Sequence, residues 1–386
     1  LGFVLSEFDV VIVGTGGVGS AALLHAAQLG ARTIGLDRFI APHNRGSSHG
    51  QTRIIRQAYF EHPQYVPLLL ESYRLWHELE AASGKALLFK TGLLQVGPAD
   101  GIVVPGVIQA AREHGLKVDQ VTASEIGSWW PMFQLPNGLV GAFEQQAGYL
   151  LVEECVAATL AAARSAGAKI QAPCEVLGWE PGSPIRLRTT AGEITTDKLI
   201  VTAGPWAGSM LDQLNLQLEV RRKGVFWFKT RQSFADAPCY LYELPQGVFY
   251  GFPEIDGRMK VAEHSGGTRL EDPLIVDPAI DPYEAERVMG FLDRCVPNVA
   301  DGLAEHQTCL YTMSPDEHFI VDWHPAERNI VFAAGLSGHG FKFTPVLGKA
   351  LAEMALVGGT ELPVGFLSLQ RLGTTPCGPV DGDHNI

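Results

Sequence analysis

The apolar pattern begins with FDVVIV at 8–13, a β-branched run short enough to be a strand buried on both faces. It runs without a break into Gly14-Thr15-Gly16-Gly17-Val18-Gly19. Small, mostly apolar residues at 20–31 then predict a helix, and RTIGL, ending at Asp37, predicts a second strand. Helical periodicity returns over 65–80, over the alanine-rich stretch 152–166 and over 345–356. Residues 185–204 read as a hairpin turned at Ala-Gly that returns through the buried strand LIVTAG, and NIVFAAG at 329–335 reads as another buried strand. The blocks around 88–148 and 216–300 alternate short apolar runs, such as GVFWFKT and GVFYGFP, with Pro/Gly turns. That pattern predicts an antiparallel sheet with one covered face.

A strand, a GxGxxG turn, a helix and a second strand closing on an acidic residue form a βαβ unit for an ADP-ribose group. Gly14, Gly16 and Gly19 let the backbone turn tightly against a pyrophosphate, which rests on the amide groups of the helix start beside Val18. Asp37 is placed to accept hydrogen bonds from a ribose diol. This motif does not choose between NAD and FAD. After Asp37 comes a polar stretch, 38–59, rich in Gly and Ser and dense in His and Arg, where a nicotinamide-binding domain would continue with further βα units. Such a segment is suited to lie against a polar, anionic group. A second glycine-rich turn, SGHGFK at 337–342, precedes the helix at 345–356 and suits an anionic or carbonyl-rich ring.

Composition narrows the classes. A chain of 386 residues, 46% hydrophobic and 18% charged, has the make-up of a globular protein of two or three domains. Its net charge of −13 argues against a nucleic-acid partner. No apolar run is long enough for a bilayer, and the first residues lack a basic leader, so a cytoplasmic protein without a membrane partner is expected. Six cysteines, at 155, 174, 239, 295, 309 and 377, are scattered without CxxC or zinc spacing, so free thiols and no metal are expected. The last residues, 374–386, contain too little apolar surface to pack and are expected to form a loose tail.

Six motifs, in order along almost the whole chain, resemble the monomeric sarcosine oxidase and N-methyltryptophan oxidase family of flavin amine oxidases. They are GSSHGQTRIIRQAY at 46–59, TAGPWAG at 202–208, FYGFP at 249–253, MKVAEHSGG at 259–267, CLYTMSPDEHFIVD at 309–322 and GLSGHGFKF at 335–343. The resemblance implies an α/β (α+β) flavoprotein of two domains. A Rossmann-like FAD-binding domain would comprise 1–87, 149–215 and 310–386, and an antiparallel-sheet substrate domain 88–148 and 216–309. It also implies a cysteine, here Cys309, joined to the 8α-methyl group of the flavin, which requires a reachable thiolate rather than a packed thiol. Matching positions for the cofactor are Arg38, Gly46, Ser47, Thr52, Arg53, Val176, Ala203, Gly204, Trp206, Gly338, Gly340, Phe341 and Lys342.

Oxidising an amine at carbon requires holding the C–H beside nitrogen against the flavin. The family's carboxylate clamp matches Arg56 and Lys342, and its oxygen-activating lysine matches Lys260. Arg53 and His49 match residues near the ring, and His264 matches the active-site histidine. Tyr250, Tyr311 and Leu241 match positions that shape the substrate pocket, with Tyr311 on the same side of its strand as Cys309. Two departures stand out. Ser48 replaces a second histidine, which bears on the charge around the flavin, and Tyr240 and Tyr242 are expected in the pocket roof, favouring an amine larger than sarcosine. The implied reaction is oxidation of a secondary, N-methylated amino acid by a monomeric enzyme, with oxygen converted to hydrogen peroxide. Cyclic amino acids such as proline or pipecolate, or a dehydrogenase using another acceptor, fit the same residues.

Overall fold

A computed structural model describes residues 7–231 and 233–373; the expected loose tail at 374–386, with Cys377, lies outside them. The strand Phe8–Val13 occupies the middle of an eight-stranded sheet, as its run of apolar residues on both faces demands. It pairs in parallel with Thr33–Leu36 on one side and with Gly192–Val201 on the other. Ile185–Thr189 and Gly192–Val201 form the expected hairpin, and Ile330–Ala334 joins the far half of Gly192–Val201 in parallel. The first helix, Gly17–Gln28, starts three residues earlier than its composition predicts, because the glycine turn itself supplies its opening residues, with Gly16 as the extended N-cap. It packs closely on Thr344–Val357: a Cβ on Gly348 would stand 2.5 Å from Ala21 Cβ. Val152–Ser165 contributes to the same apolar layer.

The second sheet has nine strands and is built around Glu219–Thr230, which pairs with Arg258–Glu263, Thr268–Leu270 and Ala300–Met313. All its pairings are antiparallel except that of Cys239–Leu244 with Leu93–Pro98, which is parallel. Three helices within the blocks expected to be strands and turns were not legible: Val103–His114, Ala123–Trp129 and Pro282–Cys295. Pro105 sits in the first turn of one, where its missing N–H costs nothing, and Pro282 is the first helical residue of another, after an Asp281 cap whose side chain accepts from Tyr283 N–H. Prolines that read as turns are helix starts.

Strand alternation corrects the expected pocket roof. Leu241 faces the site side of the nine-stranded sheet, while Tyr240 and Tyr242 face the opposite core with Phe133 and Phe291. Phe291 stacks on Phe249 at 4.9 Å between centroids, with Tyr242 at 5.4 Å. The two tyrosines therefore say nothing about substrate size.

A small third sheet of Thr52–Ile55, Gly148–Leu151 and Leu88–Phe89 carries Arg53. The strand Ala300–Met313 continues across the expected boundary at 309/310, and the chain then turns into Ile320–Trp323 of the first sheet. No helix among the described residues is long and apolar enough to cross a membrane. Removing the buried ring in Phe291→Ala is expected to lower unfolding free energy by about 3–5 kcal/mol. Chemical denaturation checks this, and a loss below about 1 kcal/mol would contradict the packing assigned to this helix.

Candidate active site

At the glycine turn, geometry leaves no room for side chains. Gly14 has φ 88°, and a Cβ on Gly19 would lie 1.8 Å from the Gly14 carbonyl oxygen. In front of this turn runs an elongated cavity with about 1300 Å³ of open space. Its wall passes from Asp37, Arg38, Val176 and Trp206 at one end, past Gly14, Gly16 and Val18, to Ser47, Arg53, Tyr311 and Gly338 at the other. Gly46, Ala203, Gly204, Gly340 and Phe341 also line it. Of the remaining residues expected at a cofactor, Gly19 supports the turn, Thr52 faces Lys260, Lys342 lines a neighbouring pocket, and Cys309 stands beside this wall without lining it.

Asp37 accepts from Thr15 N–H at 2.6 Å, from the Thr15 hydroxyl at 2.9 Å and from Phe39 N–H at 2.9 Å. Burial opposes its charge, but these donors and His43 prevail and hold it below the usual carboxylate range. Arg38 pairs with Glu175 at 2.5 Å and lies 5.3 Å from the centre of the Trp206 ring. Arg38 Nη1 and Trp206 Nε1 are buried without partners, so this end of the cavity offers two donors to an acceptor-rich group. Sequence reasoning missed His43, Glu175, Thr202, Met210 and Thr312 on this wall. Thr202 had a signal, because it adjoins Ala203 in the same motif; Glu175 and Met210 had none.

At the other end Cys309 is buried next to the wall residue Leu310, beside Arg53, His49 and Lys260. Arg53 Nη2 donates to its sulfur at 3.0 Å and to the Ser47 carbonyl at 3.1 Å, while Nη1 donates to the Thr52 carbonyl at 2.9 Å. Burial would raise the thiol, yet Arg53, His49 and Lys260 bring it down to about 6, so a thiolate is available at neutral pH. Lys260 donates to the Gly50 carbonyl at 2.5 Å and to the Thr52 carbonyl at 2.8 Å, between the rings of Trp227 and Phe252. Burial and Arg53 push its ammonium well below the ordinary lysine range.

A second pocket adjoins the first, with Arg53, Tyr311, Gly338 and Phe341 on the walls of both. It brings together the expected Arg56, Lys342, Leu241, Tyr250 and His264, with Phe60, Glu61 and His339 unanticipated. Arg56 is not free: it meets Glu61 in a two-pronged ion pair, at 2.6 Å for its shortest contact, and lies 4.2 Å from the Tyr59 ring centre and 4.3 Å from that of Phe60. Glu61 stands two residues beyond the motif that carries Arg56, which is why it went unseen. Lys342 donates to the His339 carbonyl at 2.7 Å and to the Tyr59 hydroxyl oxygen at 3.3 Å. Burial, with Arg56 nearby, pushes it well below its ordinary range. His264 Nδ1 and the Tyr311 hydroxyl are 3.2 Å apart, and burial followed by the charges of His339 and Lys223 lowers this histidine to about 3. The Tyr311 ring closes over Gly338, where a Cβ would lie 2.2 Å from ring carbon Cε2.

The family described as FAD dependent oxidoreductase matches residues 9–354. The chain belongs to that family. Monomeric sarcosine oxidase of Streptomyces avermitilis is 37% identical over 380 residues, covering 96% of this chain and 99% of its own. N-methyl-L-tryptophan oxidase of Yersinia pestis is 33% identical over 372 residues, covering 95% and 99%. Among solved structures, NikD, an amino acid oxidase of nikkomycin biosynthesis, superposes with a TM-score of 0.85 at 24% identity, over 94% of this chain and 98% of its own. L-proline dehydrogenase from P. horikoshii gives 0.83 at 20% identity, over 96% and 98%. These likenesses fix the fold: a Rossmann-like FAD unit joined to a second sheet.

The cavity fits FAD by its own chemistry. The glycine turn admits a pyrophosphate, the orphan donors of Arg38 and Trp206 face one end, and the Arg53 guanidinium faces the other. In protein prepared without flavin, the thiolate absorbance of Cys309, taken as the difference from Cys309→Ser, should titrate near 6. In Arg53→Met it should titrate about one unit or more higher, because the cation that favours the thiolate is gone. An unchanged midpoint would show that Arg53 does not hold the sulfur ionised.

Proposed function

We propose that this protein is an oxidase of secondary, N-methylated amino acids such as sarcosine or N-methyltryptophan, with FAD attached through Cys309 and oxygen reduced to hydrogen peroxide. The observation that carries the reading is a small pocket that holds Arg56, Lys342 and a neutral His264 and shares Arg53 and Tyr311 with the cavity beside which the Cys309 thiolate lies. The names of the relatives at 33–37% identity point to the same substrates. Bound flavin would take two electrons from the carbon beside nitrogen and pass them to oxygen. All else falls to the protein.

Arg56 and Lys342 receive the substrate carboxylate, Arg56 exchanging Glu61 for it. Because burial favours neutral Lys342, the entering carboxylate draws a proton onto it. With Nδ1–H donating to the Tyr311 oxygen, His264 presents Nε2 as an acceptor to the substrate amine. A neutral imidazole adds no positive charge beside an amine that must give up electrons. Leu241, Phe60 and Tyr250 exclude water from the reacting carbon. Lys260 and Arg53 supply positive charge where oxygen is reduced. In this reading the pocket wall comes from 88–148 and 216–309 as the substrate domain, and the enzyme is a cytoplasmic monomer.

Purified protein should be yellow and should form peroxide with sarcosine or N-methyltryptophan, faster than with proline or pipecolate. Absence of peroxide with every secondary amino acid would sink the reading. After acid precipitation the colour should stay with the protein and be released in Cys309→Ser; release from the unmodified chain would refute covalent attachment. Lys260→Met should slow reoxidation by oxygen by about two orders of magnitude while leaving reduction by substrate nearly unchanged. An equal rate of reoxidation would favour a dehydrogenase with another acceptor.

A further inference from the structure

The substrate pocket depends on a short irregular segment that leaves the strand Thr52–Ile55 and carries Arg56, Tyr59, Phe60 and Glu61 before the helix Tyr65–Ser83. Arg56 and Glu61 bond each other, which fixes them relative to one another but not to the rest of the protein. The side chain of Tyr59 ties the segment to the scaffold on one side, its hydroxyl 2.6 Å from His339 Nδ1 and accepting from Lys342, and the tie of its backbone lies underneath. Glu144, the last residue of the strand Leu139–Glu144, is 1% exposed, and its two carboxylate oxygens divide between two consecutive amides of the segment. Oε1 accepts from Gln57 N–H at 2.7 Å and Oε2 from Ala58 N–H at 3.1 Å.

We propose that Glu144 is a positioning residue, whose ionised carboxylate sets the height and orientation of the segment 56–61 and thereby of the carboxylate-binding end of the substrate pocket. Its own strand is fixed independently, because Glu144 pairs with Leu93 in the nine-stranded sheet. The carboxylate therefore transmits the position of a rigid strand to a segment without secondary structure of its own. Only a carboxylate offers an acceptor oxygen to each of two consecutive amides; a side-chain amide would turn an NH2 donor towards one of them.

The groups facing Glu144 are few. Arg56 comes from the segment above, and Tyr73, whose hydroxyl donates to the Gln146 carbonyl at 2.9 Å, comes from the helix Tyr65–Ser83. Burial pushes Tyr73 well above the ordinary phenol range. For Glu144 burial raises the acid, opposed by the two amides and Arg56, and leaves it at about 7. Above that pH both oxygens accept. Below it one oxygen carries a proton, and one amide loses its full acceptor. The carboxylate-binding end of the pocket should therefore loosen as pH falls through about 7.

This inference rests on the carboxylate role proposed for Arg56 and Lys342, and two readouts separate the ideas. Methoxyacetate, the oxygen analogue of sarcosine, carries the carboxylate but no oxidisable amine, and its binding to holoenzyme is read from the flavin spectrum. Hydrogen exchange of peptides covering 56–60 reads the segment directly. In Glu144→Gln, exchange there should quicken, and methoxyacetate should bind about tenfold more weakly at pH 8 with its pH dependence near 7 lost. Relative to Glu144→Gln, which retains the proton uptake at Lys342, the unmodified enzyme should lose affinity between pH 8 and about pH 6, which completes the expected pattern. Unchanged exchange in the variant overturns the proposal whatever the ligand does. Quickened exchange with no methoxyacetate binding to either protein supports the positioning role and overturns the carboxylate reading of the pocket. If Glu144→Gln does not fold, the unmodified enzyme decides: after correction for intrinsic exchange, protection at 56–60 must fall below about pH 7, and constant protection refutes the idea.

Discussion

The half-buried Arg53 and the buried Lys260 and Lys342 make no ion pair with a carboxylate among the described residues. This constraint organises the site. A charge taken out of water is costly unless something negative replaces the lost solvent. The protein supplies partial compensation from carbonyl oxygens of residues 47, 50, 52 and 339 and from the Cys309 sulfur. Dipoles offset only part of the cost, and the two lysines stay well below their ordinary range as a result. The site is thus short of negative charge in a way that an anionic ring and a carboxylate would relieve. Binding and charge stabilisation draw on one arrangement.

Backbone shape around residue 50 follows from that need. Gly50 and Gln51 both hold positive φ, at 88° and 68°, which turns their amides one way and the carbonyls of 50 and 52 the other. The amides meet Glu153 at 2.7 and 3.1 Å, in the first turn of the helix Val152–Ser165, and the carbonyls meet Lys260. Gln51 adopts its unfavourable conformation with its side-chain oxygen accepting from Trp227 Nε1–H at 2.7 Å. A strained turn is thus held from three sides, by a helix of the first sheet's layer and by two strands of the second.

The sequence was most legible where one residue type has one physical use. Gly14, Gly19 and Gly338 occupy positions closed to any side chain, and the apolar residues of the runs at 8–13 and 330–334 are buried throughout. Legibility failed where the deciding partner is distant. Nothing near Arg56 in composition announces Glu61 as its partner, and nothing near Glu144 announces the amides of 57 and 58. Periodicity misled at Pro105 and Pro282, since a proline breaks a helix interior but favours its first turn. Tyr240 and Tyr242 failed for another reason: which face of a strand meets the pocket depends on register with Leu93–Pro98 and Gly247–Gly251, information that no local window contains.

Ser48 shows how structure changes the meaning of a sequence departure. Its place in the chain, beside His49, suggests an effect on charge around the flavin ring. Its hydroxyl instead accepts from Gly17 N–H at 3.1 Å, at the first turn of the helix Gly17–Gln28. That amide is one of the unpaired donors with which a helix start meets a pyrophosphate. A hydroxyl can accept the amide and still turn its own proton outward to an anion, passing the donor on rather than consuming it. His49, by contrast, stays beside the sulfur with neither ring nitrogen hydrogen-bonded to protein in good geometry. Adjacent residues of one loop therefore serve the glycine turn midway along the cavity and the end beside Cys309, and Ser48 acts on how the glycine turn is satisfied rather than on the charge beside Cys309.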